Sequence, residues 1–207
     1  MLHVSTVKPA TLAILKHLMS IPELSAFALV GGTALSLRYG HRKSVDLDLF
    51  SSAPFDSEAL LQALTRHIPS LRHIITNSIG VFVYVDDVKV DLVSYHHHPL
   101  IGEVEHCEGI RIVSDKDLVA MKVNAVLRRA VKKDFWDIAE LLQRYSIDDF
   151  ISFYTQKYPT QILCITVPRA ITYFDEAEES DDPVSLKGQT WDEVKEYIKK
   201  KVRDYLT

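Results

Sequence analysis

Cysteine is scarce in this chain: Cys107 and Cys164 are the two among 207 residues. They share no CxxC spacing, which excludes a zinc knuckle and a disulfide framework, and they read as reduced, buried thiols of a cytosolic protein. No run approaches the roughly 18 consecutive apolar residues of a membrane span. The N-terminal stretch MLHVSTVKPATLAILKHLM has no basic segment followed by a continuous apolar run, so it does not read as a signal peptide. Internal repeats are absent. A strong basic excess is missing too: 24 Lys and Arg stand against 28 Asp and Glu, a net charge of −4. That argues against a protein that coats DNA, but not against a local basic site.

What is present is ordinary for a globular protein, with 47% hydrophobic and 25% charged residues. The length suits one domain, or one domain with an extension. Pro9 and the spacing of Leu12, Leu15, Leu18 and Met19 predict a helix over 9–19. Phe27-Ala28-Leu29-Val30 is a short buried strand stopped by Gly31-Gly32, and 33–39 is helical with Gly40 as its stop. Val45 to Phe50 alternates apolar and acidic residues, the period of a strand. Asp56 or Ser57 caps a helix to about Ile68.

Strands are expected over 71–77, 79–85, 88–93 and 110–113, with Asp86-Asp87 as a hairpin turn. Ser114 and Asp117 resemble a capping box that opens a helix to about Arg129, and a second helix spans Lys132 to Tyr145. The rest is mainly helical by pattern, ending in a helix opened by the capping box Thr190-Trp191-Asp192-Glu193. Residues 175–182 hold six acidic and no basic residues and read as a solvated linker away from the cleft. The fold class is α+β: a small mixed sheet with flanking helices over 1–113, then a helical C-terminal region over 114–207.

Three carboxylates share one logic. Asp46 and Asp48, two apart on a strand, point to one face; Asp91 sits in a second alternating strand. Three converging carboxylates repel one another, and a hard divalent cation, Mg²⁺ or Mn²⁺, resolves that conflict. Gly31-Gly32 ends a strand and opens a helix, a place where backbone N–H groups cradle anions. Thr33 and Ser44 add hydroxyls. A phosphate cradle followed, after thirteen intervening residues, by paired carboxylates is what nucleotidyl transfer needs. The run His96-His97-His98 reads as a poor metal site, because adjacent residues on an extended chain alternate in direction. Trp136 and Trp191 read as core aromatics.

Gly31-Gly32-Thr33-Ala34-Leu35, Lys43 to Phe50 and Asp91 resemble the polymerase-β-type nucleotidyltransferase superfamily, and within it the AbiEii/AbiGii toxin family. Asp117 to Lys122, Arg128-Arg129 and Lys133 to Ile138 are similar to that family's lysine motif and its basic-Asp-x-x-Asp motif. The resemblance implies a metal-dependent transfer of a nucleotide from an NTP to an acceptor, RNA such as tRNA or a protein, by the toxin of a type IV toxin–antitoxin or abortive-infection system. A cognate antitoxin is then a partner, and the cytoplasm is the compartment.

Carried over position by position, Asp46, Asp48 and Asp91 are the metal and catalytic carboxylates. Gly31, Gly32, Thr33 and Ser44 hold the nucleotide's phosphates, and Lys122 touches the triphosphate. Asp134 and Asp137 match the later acidic motif, Asp134 assigned to the nucleotide and Asp137 to catalysis, with either one facing the cleft. Two other readings stand beside this one: a nucleotide-binding protein that transfers nothing and acts through a protein partner, and a nucleotidyltransferase acting on a small molecule such as an antibiotic. Between 111 and 144, eight Lys or Arg stand against five Asp or Glu. The net acidity therefore conceals a locally basic region and does not weigh against an RNA acceptor.

Overall fold

The computed structural model describes all 207 residues. The first helix, α1 (Pro9–Ser20), starts on its proline and buries Ile14, Leu15, Leu18 and Met19. The fully buried β1 (Phe27–Val30) runs straight into α2 (Gly31–Tyr39), which ends at Gly40 with φ +66°. Next come β2 (Leu47–Ser51) and α3 (Ser57–His67), whose Asp56 cap accepts the backbone N–H groups of Glu58 and Ala59. Strands β3 (Leu71–Thr76), β4 (Gly80–Val85) and β5 (Val88–Ser94) follow, then the short β6 (Glu105–Cys107) and β7 (Ile110–Ile112).

The remaining elements are helices: α4 (Asp115–Arg128), α5 (Lys132–Leu141), α6 (Ile147–Lys157), the single turn α7 (Val167–Ala170) and α8 (Trp191–Leu206). The sheet order is β3-β4-β5-β2-β1-β7-β6. Strand β2 is antiparallel to β1 and parallel to β5, placing Asp48 directly beside Asp91. One cluster of 54 buried apolar residues joins the sheet to α4, α5, α6 and α8. Trp136 stacks on Trp191 at 5.5 Å within it, as expected of core aromatics. No helix is long and apolar enough to cross a membrane.

The departures from expectation have physical causes. Helix α2 begins at Gly31 rather than Thr33. Strand β2 begins at Leu47, so Asp46 precedes it; the Thr33 hydroxyl donates to the Asp46 carbonyl, which is thereby taken out of the ladder. Ser114 caps α4, but Asp117 does not return the bond to the cap's backbone N–H. Its carboxylate instead accepts Ile101 and Gly102 N–H groups and pairs with buried Lys157 at 2.6 Å. Strand β6 carries no apolar alternation and was invisible to pattern. Beyond Ile147 long stretches between α6 and α8 are not helical. The cysteines are not buried: Cys164 is exposed, Cys107 half-buried, and both are free thiols.

Candidate active site

The turn from β1 into α2 sets the geometry. Gly31 has φ +70°, and a Cβ there would stand 2.7 Å from Asp48 Oδ2. A Cβ on Gly32 would overlap the Arg42 guanidinium. The two glycines therefore let the chain pass close to a carboxylate on one side and a guanidinium on the other. Val30 provides no side-chain cap for α2, which leaves the helix start to other partners. Thr33 sits one residue on. Its hydroxyl hydrogen goes to the Asp46 carbonyl, so the Ser44 hydroxyl donates to Thr33 Oγ1 at 2.7 Å. Thr33 thus ties the 44–46 segment to the helix start and fixes where Asp46 lies.

A cleft with about 320 Å³ of room opens over this turn. Gly32, Thr33, Ser44, Asp46, Asp48, Lys122 and Asp134 all line it, joined by Arg42, Arg129 and Lys133. A second lobe of about 340 Å³ lies against the first and shares Gly32, Asp48, Lys122 and Arg129 with it. Its walls add Phe50, Tyr95, Tyr158 and Arg128. The Phe50 and Tyr95 rings are 4.7 Å apart, and the Tyr95 and Tyr158 hydroxyls are 2.6 Å apart. Of the three histidines only His98 is near, packed between Tyr95 and Tyr158.

The acidic segment is not away from the cleft. Asp181 and Asp182 line its mouth. Lys132 holds the segment by donating its N–H to Ser180 Oγ and its ammonium to Asp182 Oδ1 at 2.8 Å. On the far side, Lys43 N–H donates to the Val184 carbonyl and Leu186 N–H to the His41 carbonyl. A composition free of basic residues reads as solvated loop; the partners that pin this one lie tens of residues away in the chain.

Asp134 and Asp137 are both fully buried on α5, yet only Asp134 borders the cleft. Asp137 lies behind the wall. Its carboxylate accepts Arg42 Nε at 2.7 Å and the Arg42 terminal nitrogen at 2.8 Å, together with His41 Nε2 at 2.7 Å and Lys122 Nζ at 2.8 Å. Burial alone would push this carboxyl up, but Arg42 above all, with Lys122 and His41, holds it well below the usual carboxylate range. Lys122 donates its other close bond to Asp134 Oδ1 at 2.6 Å. Burial opposes its charge, and Asp134 and Asp137 more than offset that, so its ammonium is held protonated. Asp134 Oδ2 is buried without a hydrogen-bond partner.

Burial, and next the neighbouring Asp91, push the Asp48 carboxyl up. Asp91 has one oxygen, Oδ1, buried without a partner, while Lys89 Nζ stands on Oδ2 at 2.6 Å. Asp91 itself is not on the lining of the cleft, and no three His, Cys, Asp or Glu side chains are gathered as a ready-made metal site. The donor set nonetheless fits a hard divalent cation: carboxylate oxygens of adjacent strands, one of them unpartnered, beside a cleft with room for phosphates. Sequence reasoning noted Arg42 only as a neighbour of the acidic pair, and missed Lys89 and the 181–184 segment. Lys89 could have been found, since it shares strand parity with Asp91.

Comparison with known proteins adds the following. The profile of the family described as "Nucleotidyl transferase AbiEii toxin, Type IV TA system" matches residues 13–161. The uncharacterized protein aq_aa25 of Aquifex aeolicus (strain VF5) is 32% identical over 198 residues, covering 93% of this chain and 94% of that one. Among solved structures, JHP933 from Helicobacter pylori aligns with a TM-score of 0.56 at 19% identity, over 95% of this chain and 92% of its own. MenT4, a nucleotidyltransferase toxin from Mycobacterium tuberculosis H37Rv, aligns with a TM-score of 0.54 at 14% identity, over 93% and 82%. At such identities the structural likeness speaks for the fold.

Proposed function

The chain belongs to the AbiEii family of nucleotidyltransferase toxins, and from that premise we propose that it moves a nucleotide from an NTP to an RNA acceptor, such as a tRNA, in a reaction dependent on Mg²⁺ or Mn²⁺. The observation that carries this is Asp48, which lines both a phosphate-sized lobe and an aromatic, arginine-bearing one and is paired with Asp91 on the adjacent strand.

In this reading the triphosphate lies over Gly31-Gly32, where free backbone donors and the start of α2 favour an anion. Ser44 exchanges its bond to Thr33 for a phosphate oxygen. Lys122, Arg129 and Lys133 offset the phosphate charge, and Asp134 orients Lys122 from its fully buried position. Asp137 fixes Arg42 and Lys122 from behind, and is a positioning residue rather than a catalytic one. Asp46, Asp48 and Asp91 would hold the cation, which when bound supplies charge stabilisation at the attacking and leaving oxygens. The acceptor hydroxyl attacks the α-phosphorus, pyrophosphate leaves, and Asp91 takes part in drawing off the hydroxyl proton.

The second lobe suits an unpaired nucleotide. Phe50 and Tyr95 offer half-buried rings for a base, with the buried Tyr158 behind them bonded to the Tyr95 hydroxyl, and Arg128 and Arg129 offer charge for the backbone. That favours RNA over a protein acceptor. Residues 1–113 then supply the turn and the carboxylates, and 114–207 the cations and the aromatic wall's Tyr158. As part of the same reading the protein works in the cytoplasm as the toxin of a two-component system, restrained by a cognate antitoxin. The test is incubation with total RNA, protein and a set of small hydroxyl-bearing acceptors, with Mg²⁺ and each α-labelled NTP in turn. Label entering RNA supports the proposal. Label in protein alone, in a small acceptor alone, or nowhere despite measurable NTP binding would replace it with one of the rival readings.

A further inference from the structure

Asp48 and Asp91 are direct neighbours in the β2–β5 register, and like charges placed directly opposite in adjacent strands repel. The sheet carries its own remedy. Lys89 lies two residues before Asp91 on β5, hence on the same face, and its ammonium donates to Asp91 Oδ2 at 2.6 Å. The contact is not a deep structural ion pair. The Lys89 side chain is 41% exposed, whereas that of Asp91 is 17% exposed. A long, half-exposed cation on a flexible stem is free to leave; the carboxylate it touches is not. Asp91 Oδ1 remains buried and unpartnered, so the carboxylate has capacity for a further positive ligand.

We propose that Lys89 is the resident counter-ion of the Asp48–Asp91 pair and competes with the divalent cation for Asp91, so that it sets the affinity of the site. The inference rests on the reading of Asp46, Asp48 and Asp91 as the cation's ligands. Two consequences have opposite signs. Without added cation, Lys89 stabilises the folded chain by offsetting carboxylate repulsion. With cation present, the same charge repels the incoming ion and must swing away from Oδ2, toward solvent or toward a phosphate in the cleft. Lys89 is thus a positioning residue that acts through Asp91.

The test measures cation binding, not turnover. Mn²⁺ is titrated into the intact chain with a non-hydrolysable NTP present, and free Mn²⁺ is followed by electron paramagnetic resonance. Thermal unfolding is recorded with and without Mn²⁺. Removing one like charge next to a divalent ion is expected to tighten Mn²⁺ binding on the order of tenfold in Lys89→Met. The same variant melts lower than wild type without Mn²⁺ and gains more from its addition. Lys89→Arg, which keeps the charge, binds Mn²⁺ like wild type. Lys89→Met binding Mn²⁺ with wild-type or weaker affinity, while wild type binds and Asp48→Asn does not, overturns the counter-ion role and leaves the metal reading intact. Wild type and Lys89→Met both failing to bind Mn²⁺ overturns the metal reading and this inference with it.

Discussion

Replacing Asp137 by Ala separates a structural carboxylate from a catalytic one. Asp137 is fully buried and holds Arg42 by two hydrogen bonds, His41 by one and Lys122 at 2.8 Å. Arg42 and Lys122 are themselves almost wholly buried. Removing one partner of a buried ion pair leaves uncompensated charge and costs about 3–5 kcal/mol. Both cations keep a second partner, the Lys43 carbonyl for Arg42 and Asp134 for Lys122. The lower end, about 3 kcal/mol, is therefore expected. For a domain of this size that lowers the melting temperature by roughly 6–12 °C. Urea unfolding monitored by Trp136 and Trp191 fluorescence is the assay, because a shifted midpoint at unchanged slope reports stability alone. A variant that unfolds at the wild-type urea concentration yet has lost transfer would refute this placement and return Asp137 to the chemistry.

The same carboxylate dictates an acid limit. Its folded value lies well below the ordinary aspartate value, so its contribution is complete above about pH 4 and is lost as pH falls through that folded value. Wild-type stability therefore falls below about pH 4, and Asp137→Asn flattens that limb of a urea midpoint against pH. Gly32→Ala places a methyl against the pinned Arg42 guanidinium, with an expected cost of about 1–3 kcal/mol by calorimetry together with weakened NTP binding. The double change Asp181→Asn, Asp182→Asn removes negative charge from the mouth of the cleft. Steady-state kinetics should give an NTP KM lowered about two- to tenfold; a raised KM would mean that these side chains bind the substrate.

Local signals carried most of the fold. The caps at Asp56 and Thr190, the stop at Gly40 and the alternation of 79–93 each depend on neighbours in sequence, and each forms where it is expected. The turn at Gly31-Gly32 and the Asp48–Asp91 strands were legible for the same reason, since residue type and strand parity suffice. What escaped depends on distant partners. Asp117 resembles half of a capping box until Lys157 and the 101–102 backbone claim it. The acidic run at 175–182 resembles free linker until Lys132 holds it at Ser180 and Asp182, and Lys43 and His41 hold the residues just after it at Val184 and Leu186. Asp134 and Asp137, three apart on one helix, differ only in which faces the cleft and which lies behind Arg42. That difference is set by how α5 packs on α2 and α4.

The central claim is that chemistry occurs at the Asp48 carboxylate, and Asp48→Asn tests it with two readings of one protein. Burial and Asp91 both disfavour the charge on Asp48, so its removal should leave the melting temperature, measured without added cation, at or above the wild-type value. Transfer of label from α-labelled NTP should fall by a factor on the order of 10³ or more, a drop in the range seen when an electrostatic catalytic group is removed. A variant as stable as wild type and devoid of transfer is the result predicted. A variant that still transfers at the wild-type rate would contradict the account.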